Sequence, residues 1–167
     1  MKMAHVQELK VLPLLGPIDV AAVATASQYI DIDQCVGLIE FEVAFGAITA
    51  TDSSTSEMAV TVQASTAGGT DAGTAIAFQY ALSSAVATDS MGAITAATSS
   101  GTVVNSSTGD NKLLMVYVDP AVVAAVGTGY RYANVKVDGT AGVTAAIVGV
   151  VGRYLPRFSQ ASQPSST

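Results

Sequence analysis

The chain is short of the side chains that do chemistry. It has one histidine (His5), one cysteine (Cys35) and no tryptophan, and only 12% of its residues are charged. General acid-base catalysis near neutral pH most often recruits histidine, and a nucleophile needs a base beside it. Neither arrangement is written into this sequence, which reads as that of a protein that is not an enzyme. A lone histidine also lacks the second imidazole of a typical zinc site, so no metal and no cofactor is expected. One cysteine cannot close an internal disulfide. Beside the apolar run from Val36 to Phe45, Cys35 reads as a small packed residue, in keeping with the burial habits of free thiols.

Basic runs are missing too. Seven Lys plus Arg stand against thirteen Asp plus Glu, a formal charge of −6. A nucleic-acid binder draws most of its affinity from neutralising phosphates and shows a basic stripe, so direct nucleic-acid contact is not expected. Arg131, Lys136, Arg153 and Arg157 all fall in the last quarter, which leaves room for a local basic face toward an acidic partner. No stretch reaches the roughly 20 apolar residues that a spanning helix needs. The longest, Val143 to Val151, is of strand length, and no membrane partner is expected. Near the front, Lys2 and Lys10 precede an apolar stretch ending in Ala24-Thr25-Ala26, the pattern of a leader cleavage site. Glu8, Lys10, Pro13, Gly16-Pro17 and Asp19 interrupt what should be a continuous apolar centre, so no cleaved leader is expected.

What is present is β-forming. Half of the residues are hydrophobic, led by Ala, Val and Ile, with Ser, Thr and Gly filling much of the rest, a composition that suits strands and turns. The clearest period-two segment is Leu38 to Phe45: Ile39, Phe41, Val43 and Phe45 share one face while Glu40 and Glu42 take the other. Val60 and Val62, then Phe78 and Tyr80, alternate in the same way and complete the expected core. Leu113 to Val118, Tyr130 to Val137 and Val143 to Val151 are apolar on both faces, as strands covered by a neighbour are. Val20 to Ala26 and Tyr29 to Asp33 add earlier strands. Gly, Ser, Thr and Asp clusters at 66–71 and 106–111, and Asp138-Gly139, read as turns. The fold class is therefore all-β: an antiparallel β-sandwich, jelly-roll-like, of about eight strands. Asp119-Pro120 through Gly127 gives the single helical signal, one or two turns long.

The division expected is an N-terminal arm at 1–17, a sandwich domain at 18–158 and a flexible tail at 159–167. Pro13 and Gly16-Pro17 break any period in the arm, which cannot build a core of its own. Its deletion should leave a folded sandwich. Val11, Leu12, Leu14 and Leu15 are then placed to lie on a neighbouring subunit. Arg153, Tyr154, Leu155, Arg157 and Phe158 join them as candidate interface residues, because cations and aromatics are enriched at interface centres. The alternative is that this second group merely closes the last strand. Among polar candidates, Asp31 and Asp33 could hold a cation or form a solvated face, and Glu40 with Glu42 could be a carboxylate pair or two charges on a wet strand face. In each case the solvated face is the commoner outcome. Asn105-Ser106-Ser107 matches a glycosylation sequon.

The strand series Tyr29-Ile30-Asp31-Ile32, Gly37 to Thr49 and Val60 to Ser65, closed by Tyr130 to Val137 and Gly152-Arg153-Tyr154-Leu155-Pro156, resembles the small accessory virion proteins of tailed bacteriophages. The likeness spans roughly residues 18 to 158 and lies in composition and strand order. It implies a cement or decoration protein: a structural β-sandwich on the outer surface of the virion's capsid, assembled in the bacterial host cytoplasm, that bridges subunits of the major capsid protein and stabilises the head. Faces rich in Ala, Val and Thr with few charges further suggest self-association, a trimer before a dimer. The reading in a different class is a receptor- or carbohydrate-binding module of a phage tail or fibre, or of a cell-surface adhesin. The lack of tryptophan platforms weighs against it.

Overall fold

The alternation of Ile39, Phe41, Val43 and Phe45 with Glu40 and Glu42 makes one long strand, and the rest of the molecule is arranged around it. In the computed structural model, which describes residues 9–157 apart from 22, 53–55, 69–72, 87, 89 and 141, that strand is β4 (Cys35–Ala50). All four of its apolar alternates are buried, and both glutamates face outward, half-covered. The chain order is β1 (Lys10–Asp19), β2 (Thr25–Ala26), β3 (Ile30–Asp31), β4, β5 (Glu57–Ser65), β6 (Thr74–Ile76), β7 (Phe78–Leu82), β8 (Thr95–Ala97) and β9 (Thr102–Asn105). There follow α1 (Ser106–Gly109), β10 (Leu113–Val118), α2 (Pro120–Ala124), β11 (Tyr132–Gly139) and β12 (Val143–Pro156).

Two antiparallel sheets pack face to face, an all-β sandwich. The front sheet runs β1-β12-β4-β10-β7-β8, and the back sheet β2-β11-β5-β6, with β3 on β11 and β9 on β5. The described residues form twelve strands rather than eight. The difference lies in β1, in the short strands β8 and β9, and in a break at Ala77 that separates β6 from β7. Between the sheets lie Phe41, Ile39, Val43, Leu114, Val116 and Val118 from the front, and Met58, Val60, Val62, Val135 and Val137 from the back, all inaccessible to solvent. Phe78 joins them, while Tyr80 is only partly covered and packs against this core.

Residues 10–17 are not an arm. They are most of β1, an edge strand paired antiparallel with β12 from Lys10↔Tyr154 to Asp19↔Ile147. Pro13 and Pro17 stay compatible with a strand because an edge has one side where no ladder N–H is needed. The register shifts between Pro13 and Leu15, and the residue so displaced, Leu14, is buried in the core. Gly152 on β12 makes that close approach possible: a Cβ there would sit 2.6 Å from Leu14 Cδ1 and 2.6 Å from Ile30 Cδ1.

Smaller expectations also shift. Of the described residues from Val20 to Ala26 only Thr25–Ala26 are strand, and the residues after Ile30–Asp31 form a 3-10 turn, Ile32–Gln34. Asp138 and Gly139 do not turn the chain; they pair with Ala59 and Met58 at the end of β11. The reversal comes later, where Val143 N–H donates to the Thr140 carbonyl at 3.2 Å. The helix after Asp119 has the expected form, with the Asp119 side chain accepting from Ala121 N–H at 2.8 Å, Pro120 in the first turn and Val123 fully buried.

One carboxylate ties β1 to the start of β12. Asp19 Oδ1 accepts from the N–H groups of Ala146 and Ala21, each at 3.0 Å, and these bonds, Ala146 first, lower its pKa. A carboxyl held below its ordinary value of about 3.9 favours folding above that pH, and the contribution disappears as pH falls through the lower folded value. The wild type should therefore lose part of its advantage over Asp19→Asn in acid unfolding below about pH 4. Parallel pH profiles for the two proteins would show that the two bonds contribute nothing ionic.

Candidate interaction surface

Two strands dominate the exterior of the front sheet, and their outward positions follow from the inward ones. With Ile39, Phe41 and Val43 buried, β4 turns Val36, Leu38, Glu40, Glu42 and Ala44 outward. With Val148, Val150 and Tyr154 buried, β12 turns Ile147, Gly149, Val151, Arg153 and Leu155 outward. Cross-strand register sets Arg153 opposite Glu40, Val151 opposite Glu42 and Leu155 opposite Val36. The pairing shifts between Arg153 and Leu155, where Gly37 adopts φ +74°, a conformation that glycine enters at little cost. β1 adds Val11, opposite Arg153 on the other side. At this end of the sheet Val11, Val36, Leu38 and Leu155 are 54%, 44%, 51% and 40% exposed. Four large apolar side chains from three adjacent strands are exposed at one end of the sheet, a clustered apolar patch of the kind that marks a candidate interaction site.

A charged belt borders the patch. Arg153 donates to Glu42 in an ion pair. Glu40 lies between Arg153 and Tyr117 in register, and among the described residues no ion pair reaches it. The back sheet is different. Its outward residues include Thr61, Gln63, Lys136 and Asp138, and Lys136 pairs with Asp138 at 3.7 Å.

The sequence candidates divide accordingly. Val11, Arg153 and Leu155 come together on the outward face of the front sheet. Leu14 and Tyr154 point the other way and are buried, and Leu12 and Leu15 pack partly against the core. Arg157 is exposed just past the end of β12, its N–H donating to the Gln34 carbonyl at 2.7 Å. Phe158, His5 and residues 159–167 lie outside the described residues. Neighbouring positions in a strand point to opposite faces, so a run such as Leu12 to Leu15 cannot serve one surface as a whole. Val36 was missed because it precedes the alternating run that reads as core, and Leu38 because it is the first residue of that run. The signal was available: they share the parity of Glu40 and Glu42, the solvent-side residues.

The polar candidates are occupied by structure. Asp31 caps the 3-10 turn, accepting from Asp33 N–H at 3.0 Å. Arg131 donates to both Asp31 oxygens and lies 3.5 Å from Asp33. The two carboxylates thus hold a guanidinium. Glu42 is committed to Arg153. Asn105 caps α1, its Oδ1 accepting from Thr108 N–H and Ser107 Oγ. Among the described residues no group of three or more His, Cys, Asp or Glu is placed to hold a metal ion. Cys35 is buried, and that burial, reinforced by the negative charge of Asp31, pushes its pKa up to about 12. Its thiol should resist alkylation by iodoacetamide at pH 8 in the folded protein and react fully in denaturant. Equal rates in the two states would contradict the burial.

Compared with known proteins, the chain matches no family model, no curated protein and no solved structure.

Proposed function

We propose that this chain is a non-catalytic capsid cement or decoration protein that docks on the major capsid protein of a tailed-phage head and stabilises the shell. The observation that carries the reading is the outward face of β4 and β12, where Val11, Val36, Leu38 and Leu155 are exposed together beside a charged belt. The engaged carboxylates and the buried thiol favour a binding role over a reactive one. The front sheet ends in β1, which carries two prolines, and in the three-residue β8. These edges suit strand addition poorly, which favours docking by a face. Many copies on one shell would act together, so modest contacts suffice.

The saccharide-binding alternative draws less support. Stacking on sugars needs open aromatic faces, whereas Tyr154 is buried, Tyr29 and Tyr132 pack edge to face at 6.5 Å, and Arg131 covers Tyr132 at 5.2 Å. Sedimentation of the protein with heads assembled in its absence tests the proposal. Saturable decoration and later rupture of the heads on heating are expected, and failure of the protein to appear on the heads would overturn it. Self-association as a trimer before a dimer belongs to the same proposal, and a monomeric mass by light scattering at micromolar concentration would remove it.

A further inference from the structure

The patch and its belt are chemically uneven. Arg153 is committed to Glu42, which leaves the Glu40 carboxylate as the uncompensated charge of the belt, next to exposed Leu38 on its own strand and Val11 beyond Arg153. An apolar segment laid on the patch would strip water from Glu40 unless it brought a cation, because removing hydration from an unpaired charge is costly. A second copy laid on this face by the same face would set its own belt, two carboxylates to one guanidinium, against this one, which leaves self-association to other surfaces. Arg157, the nearest exposed cation past the patch, lies beyond the end of β12 rather than over the belt.

We infer that the outward face of β4 and β12 receives an apolar segment of a shell protein that places a lysine or arginine over Glu40. This deepens the cement reading and rests on it for the identity of the partner, while the chemistry of the face can be tested without heads. The apolar contacts supply affinity, and the cation fixes register along the strands, since a shift of two residues toward the start of β4 would set it against Leu38 instead of the carboxylate.

The full chain is titrated with two synthetic extended peptides that alternate leucine and threonine and differ only in a central lysine or glutamate. The lysine peptide should shift the amide resonances of Val36 to Glu42 and Val151 to Leu155. It should bind at least tenfold more tightly than the glutamate peptide, and that preference should vanish in Glu40→Gln and persist in the back-sheet control Asp138→Asn. Shifts elsewhere, equal affinity for the two peptides, or a preference retained in Glu40→Gln would each overturn the inference. So would a dimer that dissociates on Leu38→Glu, which would give the face to a second copy. On heads, loss of binding by Leu38→Glu and Glu40→Lys supports the inference. Unchanged binding of both overturns the face and leaves the cement reading standing. Wild type that binds the lysine peptide as expected but no heads supports the face and ends the cement reading.

Discussion

Replacing Phe41 by alanine should cost about 3–5 kcal/mol, the largest effect of any single side-chain truncation expected here. Phe41 is the largest of the fully buried side chains and lies on the central stretch of β4, between β12 and β10, opposite Gly152 and Val116. Gly152 has no side chain with which to close the gap, and its own space is filled by Leu14 and Ile30. The cavity would therefore relax little. Urea unfolding followed by far-ultraviolet circular dichroism measures the loss. A shift of under about 1 kcal/mol would mean that the sheets can collapse across the void. Leu38→Ala, three residues away on the opposite side of the same strand, should change stability by no more than about 0.5 kcal/mol, which separates the stabilising face from the proposed docking face.

The second large effect concerns residues 1–17. Read as an arm, they could be removed without harm to the sandwich; paired as β1, they cannot. Their deletion takes away the buried Leu14, worth about 2 kcal/mol, and the half-covered Leu12 and Leu15, together worth about as much again. It also strips β12 of its partner from Lys10 to Pro17 and bares a new edge. A loss of about 4 kcal/mol or more is a large share of the ~5–15 kcal/mol that holds a domain together. The truncated protein should be partly unfolded or aggregated at 37 °C. A truncated protein with an unchanged unfolding midpoint would show that β1 is held only loosely.

The reason the arm was misread lies in local chemistry that sequence alone weighs one way. Pro13, Gly16 and Pro17 break a regular strand, but an edge strand with a register shift accepts them, and edge position is a property of the whole sheet. Core positions on β4 were legible because Glu40 and Glu42 mark the wet side of a long regular alternation. The same residues mark the outward face, yet the exposed patch needs Leu155, Val11 and Val36 from three strands to meet. Which distant strands become neighbours is not written in any one segment. Asp31 and Asp33 illustrate the limit again: their partner, Arg131, is a hundred residues from Asp31 along the chain.

The place of β12 has a consequence for synthesis. It is inserted between β1 and β4, so strands that leave the ribosome early wait for one made more than a hundred residues later. Until Pro156 has emerged, Leu14 lacks the strand against which it packs and β1 cannot join the front sheet, although β4, β10, β7 and β8 can already pair. Such long-range pairing slows folding and leaves nascent chains exposed to misassociation. It also acts as proofreading. A chain that stops short of β12 has neither Arg153 nor Leu155 and cannot bring Val11 beside β4, so an incomplete product cannot display the surface by which a complete one would join an assembly.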